Sequence, residues 1–384
     1  MKKIKDEYVL LTVYAIMSFS FGVWSNYRQL WLKDIGFDVF SISKLLSVSL
    51  ICSSIIIFII SFFSNKINLK KLITLSLIFR TISLFTIMFV DDNYIVKVCM
   101  LLCIMCENIF ALTFYPLLSL VNKSNDIYKK QVSINYFAKD SAIILCGLLL
   151  GLTIGKYTID YNTCLFIVYV CTLISTVIML FFKNDYFIQK NKFKKFFESV
   201  FGIFKDKRIN YYLLGQFICE VGYNMIFGML MLLLTDYLNM GVSSASIFII
   251  VCSVLGSTVS KILSKKSDDF SLLKSYLIKY GSRILVYLCA FIINKPIFYI
   301  ITISISYISI KILDDKVNGT FIREISDDSR FLFGNIRYFI LNIADGIGVF
   351  IAGILFDISL SYLFFCAFLL TLISLVIYVA FTRK

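Results

Sequence analysis

Ionisable side chains stand inside stretches of this sequence that are otherwise apolar enough to cross a bilayer, and those are the residues that could do chemistry. Glu107 is the single acid of one such stretch. Glu220 shares a helical face with Gln216, Tyr223 and Asn224, about 15 Å from the inner end of its segment at about 1.5 Å of rise per residue. Lys311 falls on a stripe with Ser304, Tyr307, Asp314 and Asp315, and a further stripe aligns Asn335, Tyr338, Asn342 and Asp345. An acid or base at bilayer depth is expensive, faces a cavity or a partner, and is a functional candidate for that reason. A carboxylate that loses its cationic partner during a conformational cycle can take up a proton. The chain has no histidine, so proton transfer falls to Asp or Glu, with Glu107 and Glu220 ahead of Asp345, which sits beside Gly346 and also suits helix packing. A fixed buried Glu–Lys pair that only sets bundle geometry is the competing reading for any one of these residues. Asp140 shares a face with glycines and is expected at a gate contact, Lys139 in a cavity. Arg80 and Arg283 are expected either to neutralise acids or to snorkel. Asn26, Tyr27 and Arg28 suit an outer vestibule, or interfacial anchoring together with Trp24 and Trp31.

The elements that position these residues are legible in the hydropathy. With 384 residues, 59% of them hydrophobic, and a mean hydropathy of +0.86, the chain is too apolar for a fold that meets water on every side. Twelve spans are expected, at 8–32, 40–63, 70–90, 94–121, 131–155 and 161–182, then 211–237, 244–264, 272–293, 296–316, 330–356 and 361–381. The fold class is therefore an all-α polytopic membrane protein. Residues 1–182 form one six-helix bundle, 211–384 a second with pseudo-twofold symmetry to the first, and 183–210 a basic cytoplasmic linker. Pro296 suits a first helical turn, whereas Pro116 predicts a kink. The first span is too long for a signal-peptide core and is expected to stay in place.

The linker carries eight Lys or Arg against three acids. Phe193, Phe196, Phe197, Val200, Phe201 and Phe204 fall on one helical face with lysines opposite, the pattern of a helix lying on anionic lipid. A nucleic-acid arm would have no use for that phenylalanine stripe, so no nucleic-acid partner is expected. About 26 of the 38 Lys and Arg fall on the segments assigned to the cytoplasm, which places both termini there in a multi-pass protein of the cell membrane. The eleven cysteines sit almost entirely in apolar segments. Cys103 and Cys106 read as small buried thiols, and neither metal nor cofactor is expected.

Small residues four apart let helices approach closely in a membrane. Gly147, Gly151 and Gly155 in the fifth span are echoed by Gly348, Ala352 and Phe356 in the eleventh, just as Lys130 and Asn135 are echoed by Arg330 and Asn335. Gly256, Ser260 and Ser264 make a third strip, and Ser47, Ser54 and Ser61 a fourth. They read as surfaces on which two bundles slide, or as simple packing.

Six spans, a basic loop and six spans resemble the major facilitator superfamily of secondary transporters over essentially the whole chain. Ser61, Asn65, Lys66, Asn68, Lys70 and Lys71 occupy the positions of that family's signature between its second and third helices, without its aspartate. Asn68 stands where glycine would supply a left-handed turn. The resemblance implies a central cavity lined by spans 1, 4, 7 and 10, where Glu107, Glu220 and Lys311 converge as binding residues. Asp345, Lys139, Gln216, Asn224 and Asn342 join them as substrate or proton candidates. Gates and packing strips fall to Asn65, Lys66, Asn68, Lys70, Asp140, Gly147, Gly151, Gly155, Gly256, Ser260, Gly348 and Ala352.

The implied function is secondary active transport of a small organic solute by alternating access, by a monomer coupled to protons or another ion. Mixed acids, amides, lysine and aromatic rings suit efflux of an amphipathic, drug-like compound. Uptake of a sugar or amino acid is the alternative. A membrane-embedded lipid-modifying enzyme is the competing class, but the sequence has no concentrated polar active site with histidine or a metal cluster. No phosphate-binding loop for direct ATP drive is present. In a cysteine-free background, single cysteines at Asn93 or Asn239 are expected to label from outside intact cells and one at Asn191 is not; the reverse pattern would contradict the charge-based orientation.

Overall fold

The computed structural model describes residues 6–63, 68–121, 160–186, 204–264, 270–311 and 327–382, together with 141, 144–145 and 202. All of the expected fifth span except residues 141 and 144–145, and most of the linker stripe, lie outside these residues, as do Asn65, Lys66, Lys139, Asp140, Gly147, Gly151 and Gly155. The side chains of Lys311 and Asn335 are likewise outside the description.

Every regular element among the described residues is a helix. The first half contains α1 (Asp6–Asp34), α2 (Val39–Phe63), α3 (Leu69–Phe89), α4 (Asn93–Val121) and α5 (Tyr161–Leu180). The second contains α6 (Lys207–Phe227), α7 (Val242–Ser264), α8 (Leu272–Ile293), α9 (Pro296–Lys311), α10 (Asp327–Ile358) and α11 (Leu360–Thr382). Among the described residues, nine helices are long and apolar enough to cross a bilayer, or ten if the bent α6 segment is one span, and α9 is a shorter apolar helix. The chain is a multi-pass membrane protein.

The outward faces show why lipid is the surrounding solvent. On α3, Leu75, Phe79, Ile82, Phe85 and Phe89 are all at least half exposed, while Ile73, Leu77, Arg80, Leu84 and Ile87 are buried on the opposite side. An apolar rim around a polar interior inverts the arrangement that water selects.

Helix ends are capped by side chains the sequence supplies. Asp160, Asp206 and Ser271 accept backbone N–H bonds at the starts of α5, α6 and α8, satisfying donors that a helix cannot use internally. Asn68 does the same for α3: its side chain accepts from the Lys71 N–H at 3.3 Å, with extended backbone at φ −73°. The left-handed conformation expected there is absent because the capping bond requires the extended one. Asn294, which ends α8, is left-handed instead, at φ 47°.

α4 runs through Pro116 to Val121 as one continuous helix. One expectation about helix shape changes. The segment 211–237 bends by 44° between Phe227 and Leu230, then continues as a short turn and a π-helical turn over Leu233–Tyr237. Met229 leaves helical geometry at φ −126°, ψ 33°, and a Cβ on the preceding Gly228 would lie 2.3 Å from Val349 Cγ2.

The chain divides into two compact units. Unit 1 comprises Met1–Asp38, Val48–Asn191 and Met240–Ile247; unit 2 comprises Val39–Ser47, Lys192–Asn239 and Phe248–Lys384. The core of unit 1 gathers Leu10, Val13, Met17, Ile73, Phe110, Phe114 and Met179 from α1, α3, α4 and α5. Unit 2 is built on rings: Tyr276 and Tyr280 of α8 stack on Tyr378 of α11 at 4.4 and 5.2 Å, beside Tyr212 and Phe333.

In unit 2, α6 lies close against α10 and α11 because glycines line the contact. A Cβ on Gly348 would lie 2.6 Å from the Val221 carbonyl oxygen and 3.0 Å from Asn224 Cβ, and one on Gly222 would lie 3.1 Å from Leu370 Cβ. A Cβ on Gly281 would meet nothing within 4 Å. Gly348→Ala is expected to destabilise the protein by about 1–3 kcal/mol, since backbone must move to admit the methyl. Gly281→Ala should be neutral or stabilising by up to about 1 kcal/mol through helix propensity. Thermal melting of both variants checks this, and equal melting temperatures would contradict the close helix contact.

Candidate functional site

In unit 1 the buried charge centres on Arg80 of α3, only 1% exposed. Its guanidinium pairs with Glu107 of α4 at 3.0 Å and donates to Ser20 of α1 at 3.0 Å and to Thr172 of α5. The Phe21 ring lies beneath it, 5.1 Å from centroid to Cζ. The second Glu107 oxygen faces Arg28 of α1 at 3.7 Å. One carboxylate therefore serves two guanidiniums, and the Nε atoms of both arginines are buried without a hydrogen-bond partner. Of the two sequence readings for Arg80, neutralising an acid is the one realised.

Arg28 turns into the unit toward Glu107, and its companions Trp24 and Trp31 are buried, 6.0 Å apart, with the Trp31 indole donating to Asn162 at 3.1 Å. Both indole rings thus pack inside the unit rather than on its outer face. Lys70 pairs with Asp185 at 3.8 Å, so the basic start of α3 finds its acid just past α5.

Unit 2 holds a partly open cavity of about 180 Å³ lined by Gln216, Glu220, Lys279, Arg283 and Arg337, with Tyr223 and Tyr280 among its walls. Four helices supply it: α6, α8, α9 and α10. Lys279 and Arg283 are each only 4% exposed, although they sit four apart on one face of α8, where like charges repel. Arg283 Nε donates to Ser309 at 2.6 Å and its NH1 group to Cys219 at 3.6 Å. Its plane is flanked by the rings of Tyr223 and Tyr280 at 5.6 and 5.7 Å, a cation–π arrangement that fixes direction as well as energy. Arg337 Nε donates to the Gln216 side-chain oxygen at 2.7 Å.

On the same face of α6, Asn224 joins two acids. Its amide nitrogen donates to Asp345 of α10 at 2.6 Å and lies 3.5 Å from Glu220 Oε1. The polar stripes read from the sequence on these two segments therefore face each other, with Gln216, Glu220 and Asn224 on one side and Asp345 on the other. Asn342 is also buried, and its Nδ2 has no hydrogen-bond partner. Gly256 on α7 and Ala352 on α10 are buried, Ser260 is half-buried, and Gly348 serves the contact with α6 inside unit 2. Glu107 belongs to unit 1, Glu220 to unit 2.

Sequence reasoning missed Arg337, Lys279 and the central part of Arg80. The signal was available for each: an ionisable residue within an apolar span, and for Lys279 its i, i+4 spacing to Arg283. Among the described residues, no group of three or more His, Cys, Asp or Glu side chains could hold a metal ion, and Cys103 and Cys106 are free, buried thiols.

A family model described as Major Facilitator Superfamily matches residues 8–313. Among solved structures, the chain is similar to the nucleoside transporter NupG, with a TM-score of 0.68, 14% identity and 99% of each chain covered. It is similar also to the peptide transporter POT in complex with sulfate, at a TM-score of 0.73 and 10% identity, covering 98% of this chain and 95% of that one. A bacterial homolog of the human lysosomal transporter Spinster matches with a TM-score of 0.71 and 14% identity, over 100% and 98%. At such identities the likeness is one of fold. No curated protein matches the sequence.

Glu107→Gln would leave two arginines without their shared carboxylate. It is expected to destabilise the protein by about 3–5 kcal/mol, the cost of breaking a buried pair, and Arg80→Met in the same chain should restore part of the loss. Melting temperatures of the single and double variants measure this. An unchanged Glu107→Gln protein would mean that the cluster is not formed.

Proposed function

The chain belongs to the major facilitator superfamily, and from that premise we propose that it moves a small organic solute across the cell membrane by alternating access, coupled to protons. It is a transporter rather than an enzyme. The observation that carries proton coupling is the Asn224 amide held between Asp345 and Glu220. Asn224 carries no charge, so a proton can join or leave Asp345 without breaking a charge pair between the two. Glu107 is committed to two guanidiniums instead. The coupling role foreseen for Glu107 and Glu220 thus passes to Glu220 and Asp345.

Substrate selection falls to the unit 2 cavity. Its volume of about 180 Å³ is below the ~300–1,000 Å³ typical of drug-sized ligands, which favours a small solute over the drug-like one. Antiport or symport can use the same acids, since either needs only that proton and solute occupancy depend on each other. The charge bias of the loops supports cytoplasmic termini.

The test uses purified protein in liposomes containing a pH-sensitive dye, challenged with nucleosides, dipeptides, sugars, amino acids and short carboxylates. A transported solute is expected to move the internal pH. Asp345→Asn and Glu220→Gln should abolish that proton movement while leaving labelled-solute exchange, because a neutral amide copies the protonated acid and cannot release a proton. Proton movement at the original rate in the double variant would reject coupling through these acids.

A further inference from the structure

Three cations line the unit 2 cavity, Lys279, Arg283 and Arg337, against one acid, Glu220. Adding Asp345, which reaches Glu220 through Asn224, still leaves positive charge in excess among the described residues. Burying cations is costly unless counter-charge replaces the lost water, and Lys279 and Arg283 lie one turn apart on the same buried face, where like charges repel.

We infer that this cavity binds a small organic anion, a carboxylate on a short apolar or aromatic body of about benzoate's size. The volume has room for such a body: a cavity of about 150 Å³ accepts benzene, and this one measures about 180 Å³. The head-group preference follows from the donors. Ser309 and Cys219 engage two of the five N–H groups that a guanidinium carries, and the flanking rings of Tyr223 and Tyr280 hold Arg283 in one plane. Arg337 is oriented by Gln216. Two planar forks and an ammonium match a carboxylate, while Ile310, Leu341 and the tyrosine rings offer the apolar wall that its body needs. The inference deepens the transport reading by naming its substrate class; it rests on that reading for movement, not for binding.

Binding is measured on the purified full-length protein by calorimetry and thermal shift, with benzoate, benzamide, benzylammonium and inorganic phosphate as probes. Benzoate is expected to bind and to raise the melting temperature, with benzamide and benzylammonium at least about tenfold weaker. Lys279→Gln and Arg337→Gln should each weaken benzoate about tenfold, and Arg337→Lys, which keeps the charge but loses the fork, should weaken it less. Equal binding of benzoate and benzamide, tighter binding of phosphate than of benzoate, or unchanged benzoate affinity in both Gln variants would overturn the inference. If a Gln variant does not fold, the probe series on the unaltered protein decides. Benzoate that binds as expected but never moves protons in liposomes would contradict the transport reading alone.

Discussion

A guanidinium taken out of water into a helical bundle loses several kcal/mol of hydration unless carboxylates, hydroxyls or aromatic faces replace it, and each unit of this chain meets that constraint differently. Unit 1 uses direct neutralisation. Arg80 reaches Glu107, Ser20, Thr172 and the Phe21 ring, so three neighbouring helices are tied to α3 through one side chain. Unit 2 gives two of its cations contacts with uncharged groups: Arg283 lies against two tyrosines, a serine and a cysteine, and Arg337 donates to Gln216. Its acids Glu220 and Asp345 meet at the Asn224 amide.

Backbone packing makes the second arrangement possible. The 2.6 Å hydrogen bond between Asn224 and Asp345 requires α6 and α10 to lie close together, and Gly348 gives that room three residues beyond Asp345. The glycine and the acid are thus parts of one feature. A side chain at position 348 would separate the helices where the polar contact needs them close. The bend after Phe227 belongs to the same region, since Gly228 packs against Val349 of α10.

Much of this was legible in the sequence. Hydropathy alone placed the described helices, and 3.6-residue periodicity put Gln216, Glu220 and Asn224 on one face and Asn342 and Asp345 on another. Periodicity is a property of one helix, however, and cannot say which helix a face meets. Glu107 was read as a cavity acid without its two arginine partners, and Arg28 as part of an outer vestibule or an interfacial anchor. Asn68 was misread through the family's glycine, although Asn before a helix is as good a cap as it is a left-handed residue. The bend at Met229 left no proline to announce it. Lys279 and Arg337 were visible as charges inside apolar spans, and only their convergence on one cavity gives them a role.

The central claim is that the described lining of the unit 2 cavity, with three cations to one acid, binds an anion, and anomalous diffraction from crystals grown in bromide tests it most directly. Bromide reports negative-charge affinity without assuming any substrate. A bromide peak within hydrogen-bonding distance of at least two of Lys279, Arg283 and Arg337 is the predicted result. Bromide bound elsewhere in the protein, with a carboxylate of the chain turned into this cavity in its place, would contradict the claim.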